Sequence, residues 1–77
     1  MHNYIHNNLK SRLLNAYRKK YEENPHKYIG ACKISKYLNL SEKEHGEKYW
    51  ITHGLLLELK GEGYLEQLFR HGFRLKK

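Results

Sequence analysis

The chain is short of the features that would mark it as secreted, membrane-spanning or catalytic. Its single cysteine, Cys32, forbids an intrachain disulfide, and a reducing, intracellular setting fits best. No apolar run approaches the roughly 20 residues that cross a bilayer, and no membrane partner is expected. Met1-His2-Asn3-Tyr4 is polar and no apolar core follows, so no signal peptide is read; a cytoplasmic, complete chain is expected. Cys-x-x-Cys, a paired-histidine metal motif with a nearby glutamate, and a phosphate-cradling glycine loop are all missing. Cys32 and six histidines could serve chemistry in principle, but the pattern sets no nucleophile beside a base. A core this small also leaves little room for a substrate pocket, which commonly needs hundreds of cubic ångströms. His2 and His6 are four apart, yet two histidines without a third ligand make a weak metal site. No enzyme activity, cofactor or metal is expected.

What the chain does have is positive charge. Fifteen Lys and Arg stand against eight acids in 77 residues, for a net charge of +7 with histidine neutral and a pI near 9.6. A basic balance on one small domain points to a polyanionic partner, most often nucleic acid. Solubility alone could also account for it. At 9.3 kDa a single core supplies on the order of 3–5 kcal/mol of net stability, so dimerisation is a plausible supplement.

Apolar spacing divides the chain. Residues 1–7 are polar and are expected to form a loose arm or the first frayed turn of a helix. The domain proper is expected over 8–77. From Asn8 to Glu23, Leu9, Leu13, Ala16, Tyr17 and Tyr21 follow the three-and-four spacing of one helix face, with Leu14 and Tyr4 widening the stripe and Asn7 or Asn8 as N-cap. Arg18, Lys19 and Lys20 fall late in this helix, where cations favour the dipole, so they are poor evidence for DNA contact. Asn24-Pro25 ends it. Tyr28-Ile29 reads as a brief extended pair. Ala31 to Leu38 reads as a second, short helix with Ile34 and Leu38 inward and Cys32 or Tyr37 beside them.

Ser41-Glu42-Lys43-Glu44 matches a capping box, so a third helix is predicted from about Glu42. Its core stripe would be Tyr49, Thr52, Leu55 or Leu56, and Leu59, extended backwards by His45. Either this helix is long, or Gly46 divides a short helical turn from the main helix, since an interior glycine costs roughly 1 kcal/mol. Gly61 and Gly63 stop the helix. The period then becomes two over Tyr64 to Phe69, with a tight turn at Arg70-His71-Gly72 and a second run at Phe73 to Lys76.

Helix, glycine stop, strand, basic turn, strand is the order of a winged helix. Leu59 to Glu66, with its L-x-x-x-G-Y-L-E pattern, resembles the junction between recognition helix and wing in the winged helix-turn-helix DNA-binding superfamily. Ile34 to Ser41 resembles its second helix and turn, in which Leu40 would pack under both helices. The stretch from Ser41 to Gly63 is about two turns longer than usual there. The resemblance implies an α+β fold of three helices plus an antiparallel hairpin, the wing, with the strand at Tyr28-Ile29 pairing with the wing sheet. It also implies a double-stranded DNA partner, read by the third helix in the major groove while the wing holds the backbone or enters the minor groove.

The candidate DNA-binding residues are Lys36, Lys43, Lys48, Thr52 and His53 near the groove, and Arg70, His71 and Arg74 on the wing. Arginine's planar fork suits phosphate and a narrow groove alike. His71 could add charge when protonated. Edge protection of a solvated hairpin would use the same charges. The third helix has an odd outward face for DNA: Glu42, Glu44 and Glu47 are acidic, and Trp50 and Leu57 are apolar. An exposed Trp50–Leu57 ridge would suit a protein interface, with a second copy or a partner protein as occupant. Trp50 could instead pack on Tyr4 or Ile5. The seven tyrosines are scattered, which argues for half-buried core positions and against a single-strand stacking platform.

Overall fold

The computed structural model describes residues 4–76, the side chains of 4–7 excepted. The expectations for His2, His6, Asn7 and the side chains of Tyr4 and Ile5 therefore lie outside the described residues. Four helices and two strands follow in order: α1 (Tyr4–Glu23), α2 (Ala31–Tyr37), α3 (Glu42–His45), α4 (Trp50–Gly61), β1 (Leu65–Leu68) and β2 (Gly72–Leu75), with a 3-10 turn over Glu47–Tyr49. The fold is α+β, with helices packed on a small antiparallel hairpin, as the periodicity predicts. Among the described residues no helix is long and apolar enough to cross a membrane.

The first helix begins one turn earlier than its apolar stripe suggests, at Tyr4 rather than Asn8. Its stripe is otherwise as read: Leu9, Leu13, Ala16 and Tyr17 are buried, and they meet Ile34, Leu55, Leu56, Leu59, Leu65 and Phe73 in one core. Each fully buried Leu or Phe contributes about 1.5–3 kcal/mol. The tyrosine hydroxyl is where this core becomes polar. Tyr17 donates to the carbonyl of Ile29 at 2.6 Å, and burial pushes its phenol pKa far up. Ile29 and Phe73 exchange both backbone hydrogen bonds, at 2.7 and 2.9 Å. The expected third strand is thus one antiparallel bridge, Ile29 to Phe73, laid against the outer edge of β2.

The second helix turns differently from the reading. Cys32 is exposed and so is Tyr37, while Ser35 faces inward at 1% exposure. The small hydroxyl at that position is satisfied by Thr52, to which Ser35 donates at 2.8 Å across the α2–α4 contact. Removing one partner leaves the other unsatisfied in an apolar core, a cost of about 1–3 kcal/mol. Ser35→Ala is therefore expected to lose about that much, and the Ser35→Ala/Thr52→Val pair distinctly less than the two single losses combined. Urea unfolding of the four proteins checks this; strictly additive losses would show the hydroxyls are uncoupled.

Between α2 and α4 the chain is broken where a glycine allows it. Leu40 is buried and belongs to the core. Ser41 caps α3 in a full capping box, and the Ser41 N–H holds the Glu44 carboxyl below its usual range. Gly46 then takes a φ of 78°, and an added Cβ there would lie 2.7 Å from Ile51 Cγ1. Lys48 and Tyr49 follow in the left-handed region, with φ of 55° and 61°. Tyr49 is therefore outside α4 and off its core stripe; it stacks on His45 at 4.3 Å. Thr52, Leu55, Leu56 and Leu59 form the buried face of α4.

The hairpin pairs Leu65 with Leu75, Gln67 with Phe73 and Leu68 with Gly72. The turn is consequently Phe69-Arg70-His71, one residue before the predicted one, and Gly72 opens β2. Leu65 and Phe73 face the helices; Glu66 and Arg74 share the outer face of the sheet.

Candidate nucleic-acid interface

The sequence-predicted residues do not form one cluster. Thr52 is removed from the candidate surface altogether: it is 0% exposed and bonded to Ser35, the consequence of lying on the apolar stripe of α4. Arg74 is also largely spoken for. It pairs with Glu66 across the strands, its guanidinium sits 4.5 Å from the Tyr28 ring centroid, and it donates to the His26 carbonyl at 3.3 Å. Glu66 holds this guanidinium more firmly in its charged form. Arg74 thus ties three segments of the sheet together and has little freedom to grip a phosphate.

The rest are exposed. Lys36, with Asn39, His45 and Tyr49, lines a shallow depression of about 300 Å³ between α2 and the 3-10 turn, and Lys48 lies in that turn. Lys43 is on α3. His53 stands on the outward face of α4, edge-on to the Phe73 ring at 5.8 Å, so the predicted reading face does adjoin the hairpin. Lys60, in the last turn of α4, donates to Gln67 of β1 at 3.0 Å. Arg70 and His71 are in the hairpin turn, where Arg70 takes a φ of 70°. Trp50 and Leu57 are 65% and 41% exposed and lie two turns apart on the same outward face of α4.

Internal pairing decides what charge is left for a partner. All eight acids are glutamate, and five of them are engaged in ion pairs: Glu58 and Glu62 with Lys10, Glu44 with Arg12, Glu23 with Lys20, and Glu66 with Arg74. Glu62 and Glu58 raise the Lys10 pKa. Among the described residues, three glutamates and ten cations remain outside such pairs. Exposed ion pairs add little stability, but they remove acid from the outer field.

One basic group escaped the sequence reading. Lys20, Lys27 and Lys33 line a cleft of about 220 Å³ with Tyr37 and Glu23, the acid that pairs with Lys20, and Lys20 lies 4.2 Å from the Tyr37 ring centroid. Three separate segments supply these lysines. Lys20, one of the late-helix charges with a ready explanation in the dipole, is part of it. A larger cleft of about 420 Å³ lies between Tyr21, Pro25, His26 and the outer face of the hairpin at Arg74. Comparison with protein-family models, with curated proteins and with solved structures finds no match for the chain.

Proposed function

We propose that the chain is a winged helix-turn-helix protein of the cytoplasm that binds double-stranded DNA without catalysing a reaction on it. Its role would be that of a small transcriptional regulator or a replication- or plasmid-type DNA-binding factor. The observation that carries this reading is the charge remaining after internal pairing: ten described cations against three acids. Duplex DNA presents about one negative charge per 1.7 Å of axis, which matches a display spread over several elements better than a single small anion does. The helix order, the turn around buried Leu40 and the hairpin next to α4 support the winged-helix assignment. Lys36, Lys43, Lys48, His53, Arg70 and His71 are the proposed contacts. Titration of a duplex at increasing salt tests the reading.

A second reading is favoured by one observation, the exposure of Trp50 and Leu57 on α4. An apolar ridge there is a poor match to a phosphate-lined groove and a good match to a partner protein or a second copy, in a protein-interaction module that makes no direct DNA contact. Under this reading Trp50→Ala weakens association by about thirtyfold or more, the penalty of losing an aromatic hot spot of about 2 kcal/mol. Sedimentation of the wild type and the variant over a concentration series checks it. A wild type that stays monomeric throughout excludes self-association through the ridge.

A further inference from the structure

The most exposed large apolar side chain of the described residues is Phe69, at 77%, and its neighbour Leu68 is 45% exposed. Single exposed apolar residues are ordinary. These two, however, are adjacent and at the far end of a hairpin. Turns usually take small polar residues or glycine, each for a conformational reason. Here the three-residue turn is Phe69-Arg70-His71. Arg70 occupies the left-handed position, with φ of 70°, where glycine or asparagine is the unstrained choice. Its guanidinium stays close to the apolar group, 5.3 Å from the Phe69 ring centroid. Arg70 and His71 are both exposed, and the acid of the adjoining strand, Glu66, is committed to Arg74. The tip is therefore apolar at its apex, cationic beside it and free of unpaired acid.

The hairpin is firmly held along its strands, up to the pair next to the one that precedes the turn. Ile29 bonds to Phe73 in both directions, Arg74 ties β2 to β1 and to the 26–28 segment, and His53 abuts Phe73. A tip delivered by fixed strands can be pushed into a partner without the loss that a floppy loop would suffer.

We infer that this tip is a wedge for duplex DNA: Phe69, backed by Leu68, inserts from the minor groove between two base pairs while Arg70 and His71 engage the flanking phosphates. The inference rests on the DNA-binding reading and adds to it a place and a consequence. The minor groove is about 6 Å wide, so it admits a ring rather than a whole ribbon until the groove opens. An apolar wedge unstacks one step and kinks the duplex by about 20–90°. Flexible pyrimidine–purine steps yield most easily, so the protein would prefer TA and CA steps without hydrogen-bonding to their bases. Charge complementarity selects DNA over an apolar protein groove, because a cationic rim matches a phosphate-lined one.

The test uses the full chain and a short duplex carrying 2-aminopurine at a central TA step and a fluorophore pair at its ends. Wild type is expected to raise the 2-aminopurine emission and shorten the end-to-end distance. Phe69→Ala is expected to bind with the same salt slope, about tenfold more weakly, and to abolish both signals. Phe69→Trp should restore them. The substituted side chain is largely in solvent, so circular dichroism should be unchanged. Salt-dependent binding with no unstacking by wild type overturns the wedge and leaves DNA binding standing; so does an equal bend by Phe69→Ala. Failure of wild type to bind duplex at low salt removes the wedge and the DNA reading together. Binding to anionic phosphatidylglycerol vesicles that is lost in Phe69→Ala, with the duplex left straight, overturns the wedge in favour of a lipid surface.

Discussion

Gly72→Ala is expected to leave the domain largely unfolded at room temperature. Gly72 has a φ of 114°, a region that residues with a Cβ rarely adopt. A Cβ on this backbone would sit 2.5 Å from the carbonyl carbon of Ile29 and 2.6 Å from both its oxygen and the nitrogen of Gly30. These are main-chain atoms, and they cannot swing aside as a side chain would. The same stretch is pinned by the two Ile29–Phe73 hydrogen bonds and by the Tyr17 hydroxyl on the Ile29 carbonyl. Relief of the clash must therefore open the bridge that joins the hairpin to the body, which also costs contacts of Phe73. Backbone strain of about 1–3 kcal/mol and overpacking of about 1–3 kcal/mol together approach the whole stability of a domain this size. A control separates this from a general intolerance of the region. Gly30 has a φ of −79° and nothing within 4 Å of an added Cβ, so Gly30→Ala should shift stability by no more than about 1 kcal/mol. Thermal melts followed by circular dichroism decide it. A Gly72→Ala protein melting within a few degrees of wild type would show that the hairpin can retreat from Ile29 at little cost.

The contrast between these two glycines explains what the sequence could and could not reveal. A turn near Gly72 is legible, because an alternating run stops at Phe69 and resumes at Phe73, although Gly72 itself opens β2. That its absent side chain makes room for Ile29 was not legible, since 43 positions of chain separate them and no local pattern encodes the approach. The same division holds elsewhere. The buried face of α4 follows from leucine spacing, whereas the cost of glycine within a helix leaves a long helix and a break at Gly46 both open, and the structure has the break. A 3.6-residue count puts Tyr49 on that face, but the segment leaves helical geometry at Lys48 and takes Tyr49 off it. The inward stripe of α2 gives Ser35 no place; only Thr52, brought to it by folding, explains its burial. Thr52 itself lay both on the core stripe and among the groove candidates, and the stripe prevailed. Alternation places the hairpin turn one residue late and Phe69 in a strand, whereas Phe69 begins the turn. The pairing of Lys10 with Glu58 and Glu62 and the convergence of Lys20, Lys27 and Lys33 depend on tertiary placement, so net charge was visible in sequence but its distribution was not.

That distribution makes the salt dependence of duplex binding the decisive experiment on function. Each phosphate neutralised contributes about −0.9 to the slope of log K against log salt. If six or more of the ten unpaired cations meet phosphates, affinity should fall by about a thousandfold or more between 50 and 200 mM salt. Arg70→Ala should reduce the magnitude of the slope by about one unit, because its charge stands free at the hairpin turn. Arg74→Ala should leave the slope nearly unchanged, because Glu66 already compensates it and Tyr28 covers it. This reverses the equal weight that sequence alone gives the two arginines. Lys33→Ala and Lys36→Ala then divide the two sides of α2: a slope change on Lys36 supports contact beside α3, and one on Lys33 places DNA over the three-lysine cleft. All four substitutions are at side chains outside the apolar core, so folding should persist and the slopes should be comparable. A slope near zero, or no binding at 50 mM salt, would mean that the positive surface meets no polyanion, and the apolar face of α4 would become the better guide to what the protein does.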